Sequence, residues 1–259
     1  MNIRFARLIS GRKPGPWEGL ATAPPGLLED LTFFRERHGE KIVALDAESG
    51  APLGWVGLYP DKDEGGLFFH RAGIEVHPAH RGKGIDSGLM EEAGRFIRTR
   101  KAARLKFGTS PLLTENAALY ITRFGTRYHW REGVKTPGGR PWPCVSCECD
   151  FDDPLARPLD LLENEVSARS VVDWEGMTPH PRKGVVYSGP LSVVLPDLPS
   201  EGLARAVESV PRFLETMHSV FQQLYLHSYG FAWFDRIAPE EAVAGSPSCY
   251  YVMNKVLAL

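Results

Sequence analysis

The stretch Glu75-Val76-His77-Pro78-Ala79-His80-Arg81-Gly82-Lys83-Gly84-Ile85 holds the residue types best suited to chemistry. An apolar run with strand-like composition precedes it and a run with helical spacing follows. The stretch therefore opens a helix, where the first amides lack intrahelical partners and the dipole is positive. Such a place binds phosphate. Glycines at 82 and 84 let the main chain approach an anion closely, and Arg81 and Lys83 add positive charge. The plainer alternative is a tight basic turn that only starts a helix. Two groups beside it can move a proton. Glu75 and His77 alternate with Ile74 and Val76, so both face one side of a strand. A glutamate becomes a useful base when partial burial raises its pKa, whereas imidazole ordinarily titrates near neutrality. Each also has the plainer reading of a solvent-facing strand residue.

Periodicity and turn residues supply the elements that must hold these groups. Strands are expected at 4–9, 41–46, 53–59, 67–76 and 104–108, and helices at 27–37, 85–100 and 115–124. A turn falls at Glu48-Ser49-Gly50 and a loop at 61–66. A final hairpin joins 127–133 to 142–151 around Pro137-Gly138-Gly139. The order β-α-β-β-β-α-β-α-β-β predicts an α/β fold with a mixed sheet. Asp152-Asp153-Pro154 through Pro158 reads as a linker, dividing the chain into 1–151 and 152–259. In the second part strands are expected around Gly189-Pro190 within 185–195, a long helix over 201–229 despite Pro211, and closing strands at 231–237 and 249–257. This α+β region packs on the first domain or helps to bind the acceptor.

Arg81-Gly82-Lys83-Gly84-Ile85-Asp86 resembles the pyrophosphate-binding pattern of the GNAT superfamily of acyl-CoA-dependent N-acetyltransferases, departing from it only at Asp86, and Val76-His77-Pro78 before it is similar to the family's lead-in. Asn116-Ala117-Ala118-Leu119-Tyr120 followed by Phe124-Gly125 resembles the family's second stretch. The resemblance covers roughly 1–151. It implies a GNAT-like fold and acetyl-CoA as donor. Main-chain groups of Ile74–Val76 would follow the pantetheine arm, and Arg81, Gly82, Lys83, Gly84, Ile85, Asp86 and Ser87 would surround the pyrophosphate. Asn116 would bond the cofactor, and Tyr120 would protonate the departing thiolate. Read from the residues alone, Asn116 could instead cap a helix beginning near Ala117, and Tyr120 could be a packed helix residue. At about 5 Å, with an effective dielectric of roughly 20 to 80, the Asp86 carboxylate costs on the order of 1 to 3 kcal/mol for each phosphate charge it faces. It weakens the cofactor unless it turns outward or caps helix amides.

The 259 residues and 43% hydrophobic content suit a chain with a real core. Thirty basic against thirty-two acidic side chains give no field for a nucleic-acid partner. The charge is unevenly placed: residues 1–150 carry 22 Lys+Arg and 18 Asp+Glu, the remainder 8 and 14. That asymmetry suits an anionic cofactor and a cationic substrate. No apolar run reaches membrane-spanning length, so a soluble, cytoplasmic protein without a membrane partner is expected, with a homodimer compatible. Cys144, Cys147 and Cys149 form C-x-x-C-x-C, but no second cluster completes a zinc site. Reduced thiols on a buried strand are the expectation, with no metal. His218 and His227 read as packed or surface residues of the long helix. The expected reaction is acetyl transfer to a primary amine of a small molecule or peptide. A non-catalytic scaffold, with CoA binding impaired by Asp86, and a transferase of another acyl group are the alternatives.

Overall fold

The computed structural model describes residues 2–9, 31–135, 139–155, 172–173, 178–179, 191–195, 212–226, 228–236 and 249–255. They belong to two compact units. The first runs to Phe107 and takes in Asp150–Asp152; the second comprises Gly108–Cys149 and the chain from Asp153 onward.

In the first unit lie β1 (Ile3–Ile9), α1 (Leu31–Glu36), β2 (Glu40–Asp46), β3 (Pro52–Asp63), β4 (Gly66–Val76), α2 (Ile85–Thr99) and most of β5 (Arg104–Thr109). β1 to β4 pair antiparallel in sequence order, and β5 joins β4 parallel, so the sheet is mixed. Residues 40–45 of β2 are buried throughout, as befits a strand whose apolar run meets neighbours on both faces. α2 buries Ile85, Leu89, Met90, Ala93, Phe96 and Ile97, one stripe at helical spacing. Gly54 of β3 lies against it, since a Cβ there would come 3.3 Å from Ile85 and Leu89 side-chain atoms.

The expected loop at 61–66 is shorter than its composition implied: β3 continues to Asp63 and β4 begins at Gly66. Asp63 accounts for the extension. Its carboxylate accepts from the Gly65 amide at 2.9 Å and binds Arg104 and Lys106, each at 2.6 Å. Those cations hold its carboxyl well below the usual carboxylate range. β4 also carries a bulge. Gly57 stands opposite Gly73 but Leu58 opposite Arg71, leaving Ala72 as the extra residue. Gly73 sits there at φ +152°, where a Cβ would come 2.7 Å from the Trp55 ring.

Within the second unit, α3 (Thr114–Ala117) runs into a π-helical turn at Ala118–Arg123. β6 (Arg127–Arg131) and β7 (Cys144–Asp150) form the hairpin, shorter than expected at both strands. The seven strands so far follow the order β1-β2-β3-β4-β5-β7-β6, and the division between units falls inside β5 and again before Asp150, the last residue of β7. Then come the two-residue strands β8 (Val172–Asp173) and β9 (Thr178–Pro179), β10 (Leu191–Leu195), α4 (Phe213–Leu226), β11 (Tyr229–Arg236) and β12 (Cys249–Lys255). The last three strands make an antiparallel sheet in the order β10-β12-β11. α4 starts beyond Pro211 and ends before Tyr229, which already opens β11, so the expected helix at 201–229 was too long at its C-terminal end. The rest of that expectation, the linker beyond Leu155 and His227 lie outside the described residues.

Tyr251 is buried among Phe221, Phe231 and Phe234 and donates to the Pro111 carbonyl at 2.7 Å. Burial raises its phenol pKa well above the ordinary value. His218 lies against Trp130, and desolvation lowers its pKa. Cys147 and Cys149 are buried with Val145 on one face of β7, while Cys144 falls on the alternate one. The alternation of the strand keeps the three thiols from converging. No helix among the described residues is long and apolar enough to cross a membrane.

Candidate active site

Beyond β4 the chain makes one 3-10 turn, Pro78–His80, then the glycine loop, then α2. Gly82 and Gly84 have φ of +72° and +75°, and a Cβ on either would meet nothing within 4 Å. The left-handed conformation favours glycine, and the space around both leaves the backbone accessible. Gly84 is the N-cap of α2 and supplies no side-chain bond to the helix amides, so donors at the helix head remain for a ligand. Arg81 and Lys83 are exposed. The Lys83 ammonium donates to the Ala79 carbonyl at 3.0 Å, which holds its charge over the loop. This arrangement fits a diphosphate.

Asp86 modifies that fit. Its Oδ1 accepts from the Ser87 amide at 2.8 Å, so the carboxylate caps one donor of the first turn. A bound anion shares the helix head with this carboxylate and loses one amide to it.

Glu75 stands opposite Trp55, and Ile74 opposite Val56. Paired residues share a face, so Glu75 belongs to the side of the sheet that carries Trp55. His77 has left the strand. Its Nδ1 accepts from the Ala79 amide at 3.2 Å, capping the 3-10 turn. With Nδ1 engaged, the neutral ring carries its proton on Nε2, and a base at this position would have to give up the cap. The parallel ladder of β4 with β5 covers only Phe68–His70 against Arg104–Lys106, whereas the ladder with β3 continues to Val76. The segment 71–76 therefore has main-chain groups on its β5 side outside that parallel ladder. Ile74 and Val76 lie within it.

Asn116 and Tyr120 belong to the second unit. The helix begins at Thr114, with Leu113 as N-cap, so Asn116 is an interior residue and not a cap. Its Nδ2 donates to the Thr109 hydroxyl at 3.1 Å. Tyr120 lies in the π-helical turn and is 1% exposed. Its carbonyl accepts from the Thr126 amide at 2.9 Å.

Residues 6–125 match the sequence model of the Acetyltransferase (GNAT) family. This segment is a GNAT acetyltransferase domain. The glycine loop, Glu75, Asn116 and Tyr120 all fall inside it. No curated protein matches the chain. Among solved structures, the chain is similar to an IAA acetyltransferase from Bacillus cereus, at 17% identity and TM-score 0.42 over 57% of this chain and 99% of that one. A putative acetyltransferase from Salmonella typhimurium with acetyl-CoA gives 19% identity and TM-score 0.39 over 50% and 76%. A GNAT family acetyltransferase from Elizabethkingia anophelis with acetyl-CoA bound gives 18% and 0.41 over 57% and 98%.

Proposed function

We propose that the GNAT domain takes an acetyl group from acetyl-CoA and transfers it to a primary amine of a small molecule or peptide. The observation that carries this reading is the cradle itself: two left-handed glycines and a helix head whose N-cap glycine offers no side-chain bond lie at the end of a β4 edge, inside the segment that matches the family. Gly82, Gly84 and Ile85 would hold the diphosphate with main-chain groups, the Ser87 amide joining them only if Asp86 releases it, with Arg81 and Lys83 supplying charge. Ile74 and Val76 would offer strand groups to the arm, and Asn116 its amide. Acetyl-CoA supplies an activated acyl group as a thioester. A protonated amine must lose a proton before it can attack. Glu75 and His77 are the proton acceptors nearest the cradle, and His77 is the less available because its Nδ1 caps the turn. Tyr120 is the proton donor for the sulfur. The acidic surplus of residues 151–259 favours a cationic acceptor.

One observation favours a second reading, a binding scaffold without turnover: the Asp86 carboxylate already occupies the Ser87 amide. Release of free thiol from acetyl-CoA, followed with polyamines and lysine peptides as acceptors, separates the two. Amine-dependent release supports the transferase. Binding of acetyl-CoA without release by any amine supports the scaffold.

A further inference from the structure

We propose that His70, oriented by Asp61, is the catalytic base that takes the proton from the acceptor amine; this rests on the acetyltransferase reading above. Tyr59 of β3 stands opposite His70 of β4, and Asp61 opposite Phe68. Asp61 and His70 are thus diagonal neighbours on one face, within reach of each other. His70 Nε2 lies 3.1 Å from Asp61 Oδ2. The other carboxylate oxygen accepts from the Lys62 amide at 2.8 Å, which fixes the acid in place. That backbone bond, followed by the bond to His70, keeps the Asp61 carboxyl below its ordinary range. An ionised carboxylate only accepts, so Nε2 carries the proton and Nδ1 the lone pair of the neutral ring.

Aromatic neighbours hold the ring. Tyr59 lies 4.8 Å away, tilted by 30°, and Phe68 meets it edge-on at 4.9 Å. The side chain remains 31% exposed. The charged groups around it are otherwise engaged. Lys106, its partner on β5, binds Asp63 and lies over Phe68; Arg104 also binds Asp63; Arg37 lies over Phe33 and Tyr59.

Position decides between His70 and Glu75. The β4–β5 ladder ends at the His70–Lys106 pair, and the phosphate cradle lies past the other end of the segment that follows. From His70 to Val76 is six residues, about 20 Å at roughly 3.3 Å each. That is the length scale of the extended arm between the diphosphate and the thioester of CoA. Glu75 stands at the phosphate end of this span and His70 at the acyl end. The bulge at Ala72 is what brings the two onto one face. In the step, an N–H bond of the ammonium breaks and its electron pair stays on the amine nitrogen. An Nδ1–H bond forms, and the imidazolium faces the negative charge of Asp61. After turnover the proton passes to water. Asp61 is a positioning residue.

The test uses the full chain labelled with nitrogen-15 at histidine, with the His70 signals assigned by their loss in His70→Gln. In the free protein Nε2 of His70 should be the protonated nitrogen, a preference that Asp61→Asn should abolish. Adenosine 5′-diphosphate, which lacks the arm, should shift the loop histidines His77 and His80 but not His70. Acetyl-CoA should shift all three. If acetyl-CoA moves the loop histidines and leaves His70 unmoved, the assignment of His70 is wrong and the acetyltransferase reading stands; if it moves none of them, both fall. With poly-L-lysine as the amine probe, His70→Gln should lower turnover about a hundredfold with acetyl-CoA affinity kept within about twofold, the deficit narrowing at alkaline pH where the amine deprotonates unaided. Wild-type turnover in His70→Gln overturns the proposal.

Discussion

Asp86 is the side chain on which the cradle turns. It caps the Ser87 amide, which removes a donor from a bound diphosphate and places a like charge beside it. Asp86→Gly should therefore tighten acetyl-CoA about tenfold, the size of one screened charge repulsion, as measured by calorimetric titration. An equal or weaker affinity would show that the carboxylate does not face the phosphates. Tyr120→Phe should lower turnover on the order of a hundredfold at nearly constant cofactor affinity if the phenol protonates the sulfur; unchanged steady-state kinetics would remove it from the mechanism. The glycine loop was legible in the sequence because everything that defines it is local: two glycines, two cations and a helix start. The cap made by His77 and the bond from Ser87 to Asp86 are equally local, yet they depend on torsions that residue types do not specify. Asn116 was half legible, since its amide finds Thr109 only once β5 and α3 are adjacent in space.

Strand β4 shows why His70 escaped a reading of alternation. Without a bulge, residues 69, 71, 73 and 75 would share a face. The extra residue at Ala72 resets the alternation, so that Glu75 and Gly73 are joined by His70 and Phe68. The available signal was Gly73, an isolated glycine inside a strand pattern. Gly73→Ala should destabilise the protein by about 1–3 kcal/mol, through overpacking against Trp55 and an unfavourable φ, read as a lowered urea midpoint. A midpoint equal to that of the wild type would show that the strands yield there without cost. The end of the β3–β4 hairpin offers a second test. Arg104 and Lys106 depress the pKa of Asp63, and a depressed acid contributes stability above its unfolded value that is lost as pH falls. The advantage of wild type over Asp63→Asn should be full above about pH 4 and should shrink in stronger acid. An advantage independent of pH across an acid titration would contradict the ion-pair account.

Across the whole chain, legibility followed locality. The order of elements from Ile3 to Asp150 was readable because each strand or helix carries its own period and the turns carry glycine or proline. The second unit was harder. Its core is assembled from distant segments, with Tyr251 donating to Pro111 and Thr122 donating to the Phe234 carbonyl, and no window of sequence contains both partners. Tyr251→Phe leaves the buried Pro111 carbonyl without that bond and should cost about 1–3 kcal/mol, seen as a lower thermal midpoint. An unaltered midpoint would mean that another donor satisfies the carbonyl. The central claim is that the helix head opened by Gly84 binds the diphosphate of acetyl-CoA, and isothermal titration of the full chain with acetyl-CoA tests it most directly. The account predicts micromolar binding that is lost when Arg81 and Lys83 are both changed to alanine; no detectable heat at millimolar cofactor, or affinity indifferent to those two cations, would contradict it.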